Sequence, residues 1–499
     1  MRPDIISKSV PRIRIIIASS MVIIILLMLT FLHEVSVGYN LAVNSELPLD
    51  KMDLFAKEFS SSLPILVMRT DVSMLYDRDM PPSAVIWIFD KGEGENRLTD
   101  APAQVLDYTT ANYRGYFSIT FPQKPYKLSL YRNAFSDIVP LSYAFFGLDP
   151  ASEWVLRPTY ADKSLLRDWF SYEVAASVLY WQPRGTMVNV FLQDGEIDII
   201  EYQGVYFITQ YIPAADNMII ALGDFSLRGT GGVDFTGGGY LFQRDRMLDF
   251  ANNVRLPDRA TYRIMYPGRR GMSSAEDARV KDEIIFFHNF MNRRGAFENI
   301  PDDEWDYWNY IDLDSFVNYF LVAEMIKNLD VGLASTYIYR PEGGKFVMGP
   351  LWDSDLSMGN NRLAEDSGYF YVFRRDIISS LLEDMHFQTK VVETWQQYRN
   401  SIWSNEELLK LYDAMANDLI EPASLNAERW PEMYNDATNL GRDSLSVFTA
   451  SWEEEIEVTR QWLIERIQWL DEYIPKLLHE HPAELNHHYR SLQTAQMTE

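Results

Sequence analysis

The sequence predicts an α+β protein, sheet-rich in its N-terminal half and helical in its C-terminal half. Three observations predict it. Short apolar or alternating segments recur between residues 63 and 210. From about residue 378 the apolar spacing is mostly helical. The chain has 499 residues, 47% of them hydrophobic, which is enough to bury a large core arranged as two or three lobes.

Taken in order, the N-terminus comes first. Ile15 to Leu32 carries no charge, and Arg2, Lys8, Arg12 and Arg14 precede it. Such a run just spans a bilayer and keeps its basic flank in the cytoplasm. The expectation is a cytoplasmic basic segment at 1–14 and a transmembrane signal anchor at 15–32, with the main domain outside the cytoplasm. A cleaved signal peptide is the alternative and would give a secreted protein, but no clean small-x-small site follows the run. Residues 33–62 read as a linker with one short helix, 63–475 as the main domain and 476–499 as a tail.

LPILVMRT (63–70) and SAVIWIFD (83–90) read as strands, with KGEGENR (91–97) as a charged hairpin turn. YKLSLY (126–131) alternates, with Tyr126, Leu128 and Leu130 on one side and Lys127 and Ser129 on the other. Residues 164–180 read as a helix with a serine at its start. TMVNVFLQ (186–193) and YQGVYFIT (202–209) are strands around a polar turn, and GGGYLFQRD (237–245) ends in another. Residues 276–297 and 314–329 read as helices, and 335–340 with 345–350 as a hairpin around PEGG. In the helical half, 451–474 is clearest, with Ser451 and Glu454 in capping-box spacing.

Composition excludes several functions. There is no cysteine, so disulfides, zinc–thiolate sites and thiol catalysis are out. The net charge of -26 repels nucleic-acid backbone, so no nucleic-acid partner is expected. The seven histidines match no metal motif, and GxSxG is absent.

The most informative segments are GPLWDSDLSMGN (349–360) and NLD (328–330). Asp353 and Asp355 are alternate residues in a turn, and two carboxylates so placed suit a hard cation. An Asx-turn with a solvated second aspartate is the plainer reading. Asp330 ends a helix, where a carboxylate is often a cap, but beside Asp353 and Asp355 it could accept the proton of an attacking hydroxyl. Trp352 is placed beneath the loop. Lys127, on the polar side of its strand, can reach phosphate oxygens; Lys124 and Arg114 compete for that role. Glu173 on the 164–180 helix is a candidate partner for Lys127, as kinases pair a strand lysine with a helical glutamate. The glycine cluster at 229–239 lacks the lysine of a phosphate loop and reads as turns.

These segments, in this order, resemble the CotH kinase family, the spore-coat protein H type of atypical protein kinase-like proteins. The resemblance covers residues 63–475. It runs through LPILVMRT, YRGYFSITFPQKPYKLSLY (113–131), DKSLLRDWFSYEVA (162–175), YQGVYFITQYI (202–212), GGGYLFQRD and YRIMYP (262–267). NLDVGLASTYIYR (328–340) and GPLWDSDLSMGN are its most specific pieces, and WLIERIQWLDEY (462–473) resembles its terminal helix. The resemblance implies a divergent, two-lobed protein kinase-like fold that binds ATP and a divalent ion, Mg²⁺ with Ca²⁺ or Mn²⁺ as alternatives, and phosphorylates protein serines. It implies Asp330 as the catalytic aspartate and Asp353 as the metal ligand, with Asp355 and Ser335 beside it. Lys127, Arg114, Glu173 and Arg263 are its nucleotide-side residues. The chain departs from the family at three places: Ser335 stands where asparagine is usual, Gln210 where glutamate is usual, and Tyr116 and Phe117 follow the arginine–glycine pair.

Two other readings follow from the same residues. One is a non-catalytic envelope or spore-surface protein serving assembly or adhesion on this scaffold. The other, prompted by the aromatics and acidic pairs, is a carbohydrate-active enzyme, which needs two carboxylates at a set separation.

Overall fold

A computed structural model describes residue 47 and residues 52–132, 139–195, 199–212, 239–246, 253–267, 272–293, 304–374, 376–435 and 449–487. The expected anchor at 15–32 and all but the last residue of the glycine cluster lie outside them. No helix among the described residues is long and apolar enough to cross a membrane.

The N-terminal half begins with α1 (Leu54–Glu58) and β1 (Ser60–Ser61). Then come β2 (Ile65–Thr70), β3 (Ser83–Phe89), β4 (Asn96–Arg97), β5 (Gln104–Tyr113), β6 (Tyr126–Leu130) and β7 (Glu153–Pro158). After α2 (Arg167–Ala176) follow β8 (Gly185–Asp194) and β9 (Ile200–Gln210). Seven of these strands close into a barrel in the order β2-β3-β5-β6-β7-β9-β8. Closure depends on a parallel pairing of β2 with β8, residues 65–70 against 189–194. The charged segment 91–97 is not a simple hairpin turn: β3 pairs with β5, and β4 leaves to pair with β1.

The barrel interior takes alternate residues from each strand, including Leu66, Ile86, Leu128, Trp154, Val190 and Ile208. The alternation in YKLSLY is realised: Tyr126, Leu128 and Leu130 join that interior, and Lys127 faces out. Helix α2 is shorter than the periodicity predicts. Ser164 does not cap it; the Arg167 amide donates to Asp162 Oδ2 at 2.8 Å, and the Asp162 carboxylate also receives the Ser164 hydroxyl.

A second, five-stranded sheet has the order β11-β12-β10-β13-β14. Its strands are β10 (Tyr240–Arg244), β11 (Asn253–Arg255), β12 (Thr261–Tyr266), β13 (Thr336–Arg340) and β14 (Val347–Met348). Helices α3 (Ser274–Met291) and α4 (Leu313–Met325) are threaded between these strands in the chain. Helix α4 is mostly apolar and buried on all sides from Ser315 to Met325, with Glu324 the buried charge on it.

The remaining helices are α5 (Asp376–Leu381), α6 (Met385–Arg399), α7 (Asn405–Asp418), α8 (Ile420–Arg429), α9 (Glu432–Asn435) and α10 (Trp452–Tyr473). Ser451 caps α10 by accepting the Glu454 amide, but Glu454 returns to the Ala450 amide, so the capping box is only half formed. Arg466 of α10 and Glu324 of α4 form a fully buried ion pair at 2.7 Å. Glu324 also accepts the amides of Tyr371 and Val372, so the charges are hydrogen-bonded throughout. Barrel and helices meet at Gly204 of β9, which has φ +98°. A Cβ there would lie 2.5 Å from Asn426 Oδ1 and 2.7 Å from Trp430 Nε1.

Candidate active site

Helix α4 ends at Met325, and the chain turns through Lys327, which has a left-handed φ of +56°. Asn328 then joins the two sequence motifs. Its Nδ2 donates to the carbonyls of Trp352 and Asp353, at 3.3 and 3.2 Å. Its Oδ1 accepts the Asp330 amide at 2.9 Å. The Met358 amide, donating to the Ile326 carbonyl at 2.9 Å, makes a second tie. The NLD turn and the WDSD turn are therefore one structural unit.

Within it, Ser335 and Asp353 both have left-handed backbones, with φ +49° and +53°. The Ser335 hydroxyl donates to Asp353 Oδ2 at 2.6 Å. Arg157 Nη1 of β7 donates to Asp353 Oδ1 at 2.6 Å, and Arg157 Nε donates to Asp168 Oδ2 at 2.8 Å. Asp168, near the start of α2, accepts the Ser354 amide on its other oxygen. Arg157 and Arg114 both lie over the Trp352 ring, 4.9 and 5.6 Å from its centroid. Trp352 is indeed under the turn, against Tyr172 and Tyr337.

The electrostatics follow from this geometry. Burial would raise the Asp353 carboxyl, but the Arg157 charge and the Ser335 hydrogen bond outweigh it and hold it below its usual range. Asp355 goes the other way. Burial, then the charge of Asp168, with Asp353 and Asp330 adding to it, raise it well above an ordinary aspartate despite Arg157. Asp168 is also raised, by burial first, with Arg157 opposing. Ionising Asp355 and Asp168 in this turn is therefore disfavoured despite Arg157.

The structure brings Asp330, Asp353, Asp355, Ser335 and Arg114 into this unit. It places the other candidates further out. Lys127 pairs with Glu153 at 2.6 Å and lies over the Tyr211 ring. The expected Lys127–Glu173 pair is not formed: Glu173 holds Arg184 through both of its oxygens. Lys124 donates to the Ile119 carbonyl. Arg263 sits on β12 and acts on Tyr337, the ring beside Trp352. Gln210 ties β9 to the Asp149 carbonyl at 2.8 Å. Arg157 and Asp168 are the residues sequence reasoning missed. An arginine among the apolar residues of WVLRPT, and an acid at the start of a helix, were the available signals.

No three His, Asp or Glu side chains converge as a ready-made metal cage among the described residues. The donor set still fits a hard divalent ion. Mg²⁺ is held by one or two carboxylates completed by water and phosphate oxygens, and Asp353 and Asp355 supply such oxygens; a cation there would favour the ionised form of Asp355, which burial and Asp168 oppose.

One family model matches most of the chain. The family model described as CotH kinase protein matches residues 111–470, a span that contains every residue named in the turn unit and on the barrel face. The chain belongs to that family. No curated protein matches it.

Proposed function

We propose that this protein is an ATP-dependent protein serine kinase-like enzyme of the cell envelope, built on a divergent two-lobed kinase-like scaffold. The observation that carries the reading is the juxtaposition at Trp352. Asp353 is paired with Arg157 and lies in the field of Arg114, and Asp355 beside it feels the charges of Asp168, Asp353 and Asp330. A nucleotide with its metal needs both signs of charge side by side. Left-handed, non-glycine backbone at Lys327, Ser335, Asp353 and Met358 adds support, since strain of this kind collects at working sites. Membership of the CotH kinase family points the same way.

In this reading Asp353 and Asp355 hold the divalent ion, Mg²⁺ or one of its relatives, with the Ser335 hydroxyl orienting Asp353. Asp353 and Asp355 would hold such an ion, which would supply neutralisation of the charge that develops in phosphoryl transfer. Asp330, whose backbone N–H donates to Asn328 Oδ1, accepts the proton of a protein serine hydroxyl. Arg114 steadies the nucleotide from the barrel side. The expected membrane anchor would present the domain outside the cytoplasm to a protein substrate.

The second reading, a non-catalytic envelope or spore-surface scaffold, has its own observation. Both oxygens of Asp353 are already engaged, by Arg157 and Ser335. The test is incubation of the full-length protein with γ-phosphate-labelled ATP and Mg²⁺, Mn²⁺ or Ca²⁺, beside Asp353→Ala. Metal-dependent incorporation into the protein or a serine-rich substrate, lost in the variant, is the expected result. No incorporation together with no nucleotide binding would leave the scaffold reading.

A further inference from the structure

Among the described residues, Arg157 is the basic side chain that forms an ion pair with the metal-side aspartate, Asp353. Its side chain is 90% buried, with 10% exposure remaining. Two of its nitrogens are accounted for: Nε by Asp168 and Nη1 by Asp353. Nη2 makes no hydrogen bond to a described residue. Val155, two positions earlier on β7, is paired with Lys127 on the adjacent strand β6, so Arg157 and Lys127 project from the same outer face. Lys127, however, is neutralised by Glu153, whereas Arg157 reaches the turn.

The contact with Asp353 sets up a competition. A divalent ion arriving at Asp353 meets Arg157 on one oxygen and Ser335 on the other. Displacing Arg157 from Oδ1 does not release it, because Asp168 still holds Nε. A guanidinium moored at Nε keeps both terminal amino groups free for a bidentate grip on phosphate oxygens.

We propose that Arg157 is a metal-gated phosphate clamp: it neutralises Asp353 in the ligand-free protein and transfers to the nucleotide phosphates when a divalent ion takes that carboxylate. The proposal rests on the nucleotide-and-metal reading above. It makes metal and nucleotide binding mutually reinforcing, because each removes an obstacle to the other. Asp168 is then a positioning residue, acting through Arg157.

The experiment is calorimetric titration of the full-length protein with Mn²⁺ alone and with Mn²⁺ plus ATP, for wild type, Arg157→Met, Arg157→Lys and Asp168→Asn. Thermal unfolding of each variant checks its fold. Removing the competing cation should tighten Mn²⁺ alone in Arg157→Met, while Mn²⁺-ATP weakens by about tenfold or more, the scale of one lost charge-assisted contact. Arg157→Lys should recover part of the nucleotide binding. Asp168→Asn can still accept the Ser354 amide but loses its charge, and should weaken Mn²⁺-ATP. Opposite shifts for the two ligands are not expected of a residue that merely supports the fold. Unchanged binding in Arg157→Met, or equal losses for both ligands, overturns the clamp alone. A wild-type protein that binds neither Mn²⁺ nor Mn²⁺-ATP overturns the kinase reading and the clamp with it.

Discussion

The Ser335 hydroxyl donates to Asp353 Oδ2 at 2.6 Å, and both residues adopt left-handed backbone conformations. The serine is bonded directly to the carboxylate it would assist. Ser335→Ala removes this donor and should cost about 1–3 kcal/mol, as for a hydrogen bond to a charged group. The Asp353 carboxyl is held below its usual range, so its contribution to stability is present above the unfolded pKa of about 3.9 and fades as pH falls through the folded value. The penalty of the variant should therefore be largest near neutrality and shrink in acid. Urea unfolding at a series of pH values measures it. A penalty independent of pH would mean that Ser335 does not act through the Asp353 charge.

Asp355 should behave in the opposite sense. Its carboxyl is raised by burial and by the charge of Asp168, so ionising it in the folded protein is unfavourable. Its contribution is fully present below about pH 3.9 and is lost as pH rises through the folded value. Asp355→Asn should thus be more stable than wild type at pH 8, with the advantage vanishing toward pH 4, in metal-free buffer. Melting temperatures of the two proteins across that range decide it, and the same variant should bind metal more weakly.

Asp330 and Asp353 are assigned separate duties, and substitution should separate them. Asp330→Asn should bind Mn²⁺-ATP much as wild type does but lose phosphate incorporation by about 100-fold or more, the usual contribution of a positioned base. Asp353→Ala should lose metal-dependent nucleotide binding itself. Equal binding losses in the two variants would show that the residues share one role.

Gly204 is required by both backbone and space. It has φ +98°, and a Cβ would meet Asn426 Oδ1 at 2.5 Å and Trp430 Nε1 at 2.7 Å. Gly204→Ala should destabilise the protein by about 2–4 kcal/mol, combining backbone strain with overpacking. Because the clash is with α8, Asn426→Ala should relieve part of it in the double variant. Additive losses in chemical denaturation would show that the clash is not the cause.

The Glu324–Arg466 pair is fully buried and hydrogen-bonded on both sides. Arg466→Met strands the Glu324 charge and should cost about 3–5 kcal/mol. Replacing both partners by Glu324→Leu with Arg466→Met should cost less than Arg466→Met alone. A double variant worse than the single would point to the backbone amides and carbonyls that the pair also satisfies.

Much of the fold was legible because it is local. Period-two alternation placed β6 and its interior face, the hairpin of β13 with β14 was read from PEGG, and 314–329 was read as the helix that α4 forms. Closure of the barrel was not legible. Alternation reports which face a residue takes, but not which strand it pairs with, and β2 meets β8 across more than a hundred intervening residues. The helix expected at 164–180 was overestimated because Asp162 organises its entry and holds Ser164 outside it.

For the site, the division is sharper. The sequence by itself determined the acidic turn, the aspartate before it and the family to which they belong, because these sit in contiguous motifs whose residue types carry the chemistry. Only the tertiary structure decided which cation faces them. Lys127 and Glu173, the expected pair, are each neutralised by a nearer partner, while Arg157 reaches Asp353 across 196 residues of chain. Charge pairing depends on distance in space, and sequence order does not encode that distance until β7, α2 and the WDSD turn have packed together.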